Sequence, residues 1–188
     1  MDLGFLEAPA DEVAPRLLGC ELIREFDGEQ ARVRIVEVEA YDQTDAASHS
    51  YRGRTPRTEV MFGPAGHLYV YFTYGMHYCM NIVTGPPGHG SAVLIRAVEP
   101  IAGTDLLAQN RAGKHGIELT NGPAKLCQAL GIDKTWNGHD MQQAPLQLIV
   151  LPALAPDLVV QTTRIGISQA KDVPWRFYIK GNEYVSKP

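Results

Sequence analysis

The chain has 188 residues, 45% hydrophobic, 20% charged and 8% aromatic, with a formal net charge of −4. This composition excludes a disordered or fibrous chain; at this length roughly 70% of the unfolded surface can be buried, so no disulfide or metal staple is needed. Apolar runs such as 148–151 fall far short of the ~20 residues that cross a bilayer, and an acidic balance argues against a protein wrapped in nucleic acid while leaving room for a local basic face.

Taken from the start, Asp11 is placed to cap a short helix over 12–18, with Pro15 tolerable in the first turns and Gly19 as its stop. That helix is expected to cover a sheet edge. Residues 20–26 and 31–41 read as strands joined through the turn pair Asp27-Gly28. Uniform alternation along the second strand puts Val33, Ile35, Glu37, Glu39 and Tyr41 on one face and Arg32, Arg34, Val36 and Val38 on the other. Residues 42–66 are polar, punctuated by Gly and Pro, and long enough to suggest a functional loop. A β-aromatic run over 67–74 puts Tyr69 and Tyr71 on a common face and brings Tyr74-Gly75 to a turn. A strand over 92–98 places Leu94 beside Arg96. Thr104 is a candidate cap for a helix through 106–110, and Asn121-Gly122-Pro123 opens a helix running to Leu130 before Gly131. Strands over 148–151, 159–167 and 175–180 complete the set. Strands outnumber helices and hairpin spacings recur, which predicts one α+β domain over 1–188, a mixed, largely antiparallel curved sheet with peripheral helices.

The three cysteines, Cys20, Cys79 and Cys127, are widely spaced and form no C-x-x-C pair, and residues 1–5 lack the basic and apolar regions of a signal peptide. A cytoplasmic location follows as the expectation.

Glu39 is the first candidate for chemistry, because a carboxylate in an apolar strand is costly to bury unless it is paired or functional. Its plain alternative is a solvated or salt-bridged strand end. Arg96, also in an apolar strand, could face Glu39, keep it ionised and help it orient a water. Tyr41, Tyr69, Tyr71, Tyr74 and Tyr78 crowd together with His49; such a stripe is either ordinary core or a set of flat faces for stacking a nucleobase. The stretch 49–57 is locally basic. Arg52, Arg54, Thr55 and Arg57 there are either solvated or contacts for DNA phosphates, and Lys125 in the first turn of its helix could add another. Glu37, Glu39, Asp45 and His49 could also be read as metal ligands, but their spacing matches no zinc signature, and no G-x-S-x-G or Cys–His pair suggests a nucleophile.

The ordered blocks Arg34-Ile35-Val36-Glu37-Val38-Glu39-Ala40-Tyr41, His49-Ser50, Arg54-Thr55-Pro56-Arg57, Leu68-Tyr69-Val70-Tyr71-Phe72-Thr73-Tyr74-Gly75-Met76, Cys79-Met80-Asn81-Ile82 and Leu94-Ile95-Arg96-Ala97-Val98-Glu99-Pro100 closely resemble the alkyladenine (3-methyladenine) DNA glycosylase family. Gly122-Pro123-Ala124-Lys125-Leu126-Cys127-Gln128-Ala129-Leu130, Arg164-Ile165-Gly166 and Arg176-Phe177-Tyr178-Ile179 follow in the family's order. The resemblance implies a damaged purine rotated out of double-stranded DNA and cut from its sugar, giving free base and an abasic site, by a cofactor-free and metal-free enzyme that works as a monomer away from membranes. By that match Glu39 is the general base that activates water, with Arg96 and the main-chain carbonyl of Ile165 helping to hold it. Tyr41, His49 and Tyr71 sandwich the base, Asn81 crowds the exocyclic amine of guanine, and Tyr74 wedges into the minor groove. No lysine stands at a matching catalytic position, which implies hydrolysis without strand cleavage. Against mammalian relatives the Tyr41–His49 loop is slightly shorter and the stretch from Asn81 to Arg96 slightly longer. Two other readings compete: a lesion-binding protein without catalysis, and a metal-dependent phosphodiesterase built on Glu37, Glu39, Asp45 and His49.

Overall fold

The structure, a computed structural model, describes residues 3–73 and 75–187. The turn pair Asp27-Gly28 does what its residue types dictate. Both residues adopt positive φ, 45° and 93°, the combination that lets a two-residue turn follow the twist of its flanking strands. It joins β1 (Glu21–Phe26) to β2 (Glu29–Asp42), and β2 is the spine of the molecule. On one side β2 pairs with β5 (Ser91–Ala102) along most of its length; on the other it pairs first with β1 and then, at Glu37–Glu39, with β8 (Arg176–Ile179). Adding β3 (Leu68–Thr73), β4 (His77–Val83), β6 (Leu146–Ile149) and β7 (Val159–Thr162) gives an eight-stranded sheet of order β3-β4-β5-β2-β1-β6, with β7 on β8. Every pairing is antiparallel, so the α+β class read from the sequence holds.

The helices are α1 (Ala10–Leu17), α2 (Thr104–Asn110) and α3 (Pro123–Ala129). Pro9, not Asp11, precedes the first turn of α1; Asp11 lies within that turn, where its charge suits the helix dipole. Pro15 sits inside the helix rather than at its start. The helix also covers more than an edge, burying Val13, Ala14 and Leu17 while packing on β2, β5 and β8. At α2, Thr104 is the first helical residue and Gly103 occupies the cap. A Cβ at Gly103 would stand 2.5 Å from the Gln30 carbonyl oxygen, so no capping side chain fits where the chain crosses β2. Among the described residues no helix is long and apolar enough to cross a membrane.

One departure from the expected pattern decides where the site lies. Ile35 pairs with Val98 and Val38 with Ile95, but between them Glu37 pairs with Ala97, leaving Val36 and Arg96 as the extra residues of two compensating irregularities. Val38 is three positions after Ile35, an odd step, so the alternation changes phase. Val33 and Ile35 therefore share the main core with Val38 and Ala40, whereas the strand pattern alone had grouped them with Glu39. Glu37, Glu39 and Tyr41 face away from that core.

On that other side a smaller apolar cluster forms from Met61, Phe62, Tyr69, Val83 and Ala92, so residues 42–66 are folded onto the sheet. The β4–β5 connection braces them: the Gly88 N–H donates to the Phe62 carbonyl at 2.8 Å, Ser50 Oγ to the Gly90 carbonyl at 2.7 Å, and the Gly90 N–H to Gln43 Oε1 at 2.8 Å. A Cβ at Gly90 would lie 2.6 Å from the Phe62 ring, which explains the bare backbone at this crossing. The strand expected over 159–167 stops at Thr162, because the chain then turns inward and buries Arg164.

Candidate active site

A cavity of about 510 Å³ opens between the second half of β2, strands β3 to β5, the 42–66 loop and residues 165–169. Glu39 is buried in its wall with no solvent exposure. Tyr41 donates its hydroxyl to Glu39 Oε2 at 2.8 Å, the Ile165 N–H donates to Oε1 at 2.7 Å, and Arg96 Nη1 stands 3.3 Å from Oε2. The contact with Ile165 is made by its amide, whereas the resemblance had singled out its carbonyl. Burial pushes the Tyr41 phenol well up, and the neighbouring Glu39 pushes it further, so Tyr41 stays a neutral donor. Burial by itself would lower the pKa of Arg96, but Glu39 and Glu37 outweigh it and the net direction is upward.

Arg96 is aimed by a second carboxylate. Glu37 Oε1 accepts from Arg96 Nε at 3.1 Å, from Arg176 Nε at 2.7 Å and from Ser186 Oγ at 3.0 Å, while Oε2 accepts the Ser186 N–H at 2.7 Å. Glu37 lies outside the cavity lining, directly behind Arg96. The phase change in β2 and the matching irregularity at Arg96 are what bring these charges to one side of the sheet.

The aromatic part of the cavity comes from β3 and the short helical turn His49–Arg52 of the 42–66 loop. Tyr69 and Tyr71 stack with centroids 5.7 Å apart at 29°, and His49 meets the edge of Tyr71 at 4.5 Å and 82°. His49 Nδ1 lies 3.0 Å from the Tyr69 hydroxyl. Although part of its surface remains exposed, burial of the rest and the charge of Arg57 push the His49 pKa down to about 4. Its ring is thus neutral at physiological pH. Burial likewise pushes the Tyr71 phenol up. Asn81, buried on β4, donates its Nδ2 to the Tyr69 carbonyl at 3.0 Å, which fixes the amide at the cavity wall.

Seven residues singled out from the sequence, Glu39, Tyr41, His49, Tyr71, Asn81, Arg96 and Ile165, line this one cavity. Arg57 lines it as well, with its guanidinium 5.7 Å from the Tyr71 ring centroid. Arg52 is exposed in the same loop. Arg54 pairs with Glu59 at 3.3 Å, Thr55 hydrogen-bonds Thr58, and Lys125 is held by Glu118 at 2.8 Å and Asn121 at 2.7 Å, so these three already have partners within the chain. Tyr74 lies outside the described residues. Of the four groups weighed as metal ligands, Glu37 is saturated by arginines and Ser186, and Asp45 is paired with Arg164; among the described residues no cluster of His, Cys, Asp or Glu is arranged to hold a metal ion.

Sequence reasoning missed Glu37, Arg176, Ser186 and the Arg164–Asp45 pair as parts of the site's support. Arg176 carried the same signal as Arg96, an arginine in an apolar strand. Arg164 stood in one of the blocks that carry the resemblance but without a role, and nothing local marked Ser186.

The family description "Methylpurine-DNA glycosylase (MPG)" matches residues 4–183. A protein of Carboxydothermus hydrogenoformans named "Putative 3-methyladenine DNA glycosylase" is 56% identical over 177 residues, covering 93% of this chain and 92% of its own. Proteins of the same name from Methanoculleus marisnigri and Nitrosospira multiformis are 51% identical over 186 residues and 46% identical over 181, covering 97% and 96% of this chain and 96% and 91% of theirs. Such matches along almost the whole chain identify it as a member of the methylpurine-DNA glycosylase family.

Proposed function

We propose that this protein is a monofunctional DNA glycosylase of base-excision repair, which hydrolyses the N-glycosidic bond of damaged purines flipped out of a duplex. The observation that carries the reading is the buried Glu39, held by an amide, a phenol and a guanidinium in the wall of an aromatic cavity. In this reading the purine lies among Tyr41, Tyr71 and neutral His49, whose electron-rich faces suit a cationic alkylated base. Glu39 takes a proton from a water whose oxygen attacks C1′ of the sugar. The bond from C1′ to the base nitrogen breaks, its electron pair goes to the base, and the sugar keeps the hydroxyl. A 3- or 7-alkylated purine leaves as a neutral molecule, so the main tasks are delivery of water and stabilisation of positive charge on the sugar, for which a desolvated carboxylate is well suited. Hypoxanthine or ethenoadenine, being neutral, also needs a proton or hydrogen bonds on the departing base.

Asn81 lines the cavity wall, and in this reading it crowds the exocyclic amine of guanine. Arg52 and Arg57 are exposed cations of the loop beside the cavity and suit phosphate contact; Tyr74, which follows Thr73 in the sequence, is the proposed wedge. Among the described residues no lysine lines the cavity, in keeping with hydrolysis rather than an imine-forming, strand-cleaving route.

The test is base release from a labelled duplex bearing one hypoxanthine or one alkylated purine, with and without EDTA, for the parent protein and Glu39→Gln. The expected result is EDTA-resistant release that needs alkali for strand scission and that disappears in the variant. Tight lesion binding without release on either substrate would overturn the enzyme reading, and EDTA-sensitive scission without alkali would replace it with the metal-dependent nuclease.

A further inference from the structure

Arg164 does not line the cavity, yet it ties together three segments that do. It is buried, with 6% of its surface exposed. Nη1 donates to the Ala40 carbonyl at 2.9 Å and to the Asp45 carboxylate, and Nη2 reaches the Ala170 carbonyl at 3.4 Å. Its guanidinium carbon lies 4.7 Å from the ring centroid of Tyr41 and 5.4 Å from that of Trp175. Ala40 is the residue between Glu39 and Tyr41; Asp45 belongs to the loop that delivers His49; and Arg164 immediately precedes Ile165, whose amide holds Glu39.

We propose that Arg164, locked by Asp45, is a positioning residue that sets Glu39 and Tyr41 for the reaction. The inference rests on the excision reading given above. Two routes lead from the guanidinium to Glu39. Through the chain, anchoring Arg164 to Ala40 holds the non-strand segment after Thr162 against β2, so that the Ile165 amide reaches Oε1 at 2.7 Å. Through space, the guanidinium backs the ring of Tyr41, whose hydroxyl reaches Oε2 at 2.8 Å. Both oxygens of the carboxylate are thereby referred to one cation that never touches substrate.

Stability is a poor explanation for such a pair. A buried ion pair returns little net free energy, because the desolvation of two charges offsets most of their attraction. One donor of Arg164, Nε, has no hydrogen-bond partner among the described residues, an added cost. What the arrangement supplies is geometry: a planar cation that donates in two directions while lying against two aromatic rings, a task a lysine ammonium cannot duplicate.

The experiment compares the parent with Arg164→Met, Arg164→Lys and Asp45→Asn. Two quantities are read on one lesion duplex: the single-turnover rate of base release at saturating protein, and the affinity for the duplex measured on a non-cleavable analogue. Arg164→Met is expected to lower the rate about a hundred-fold, the scale of a displacement near 1 Å in a catalytic group, with a much smaller loss of affinity. Asp45→Asn, which keeps an acceptor oxygen, should fall in the same direction by less, and Arg164→Lys should recover only part of the rate. A parent-like rate in Arg164→Met, or equal falls in rate and affinity, overturns the assignment. If Arg164→Met does not melt cooperatively, the same comparison on Arg164→Lys and Asp45→Asn decides it. Failure of the parent itself to release any base overturns the excision reading rather than this role alone.

Discussion

Glu37 and Glu39 stand two residues apart on the same side of one strand, and both have no solvent exposure. Their surroundings separate them. Glu37 is enclosed by two arginine Nε atoms and by the N–H and hydroxyl of Ser186, all within 3.1 Å, and none of its surface reaches the cavity. Glu39 has one amide, one phenol and one guanidinium, and it borders the cavity. A carboxylate whose lone pairs are all engaged from within is part of the scaffold; one that keeps a side toward an open cavity can accept a proton from a substrate water. Burial and sequence position are equal for the two, so only the partner set distinguishes the reacting group from its support.

Substituting each carboxylate in turn sharpens that contrast. Glu39→Gln should lower base release by about 10³-fold, within the usual range for loss of a general base, with a thermal transition near that of the parent. Glu37→Gln should do the reverse in emphasis. Removing Glu37 from this buried charge network leaves Arg176 without its carboxylate and Arg96 with Glu39 alone, for a loss of about 3–5 kcal/mol in chemical denaturation. Activity should then fall through a misaimed Arg96, by less than in Glu39→Gln. If Glu37→Gln proves the more damaging to release in folded protein, the division of labour is reversed.

Smaller effects test the cavity wall. Asn81→Ser, which removes bulk where guanine's amine would sit, should raise release of undamaged guanine by up to about ten-fold, the lower end of what one small steric change in a pocket supplies. Unchanged rejection of guanine would remove Asn81 from that role. The smallest effect concerns His49. Its pKa of about 4 lies below its ordinary 6.5, so the unfolded chain takes up a proton between those values that the native state refuses. Stability should therefore fall as pH drops from 6.5 toward 4 and be indifferent to His49 above 6.5. Because the ring keeps some exposure the slope will be shallow, and titration of its ring protons by NMR is the cleaner check. An inflection near 6.5 would contradict the neutral wall.

Much of this architecture was legible in the sequence for local reasons. Asp27-Gly28 can hardly be anything but a two-residue hairpin turn, Pro123 after Gly122 opens a helix, and the aromatic run in β3 puts Tyr69 and Tyr71 on one face. The caps of α1 and α2 were misjudged because Asp11 and Thr104 compete with Pro9 and Gly103, whose places are set by where the chain must cross or leave the sheet. The face of β2 was misjudged because a bulge leaves no mark in a run such as Ile35-Val36-Glu37-Val38. Whether that run keeps its phase depends on what β5 offers across the ladder.

The sequence by itself determined most of the elements, though not β4, the largely antiparallel α+β class, and the residue types that chemistry on a purine needs, since propensity, turn geometry and side-chain chemistry act over a few residues. The tertiary structure alone decided which of two neighbouring carboxylates faces a cavity, that an amide 126 positions away would hold it, and that Arg164 and Ser186 would brace the site from behind. Those outcomes depend on long-range strand register and on the demand that every buried charge find a partner, and neither is written in any single stretch of chain.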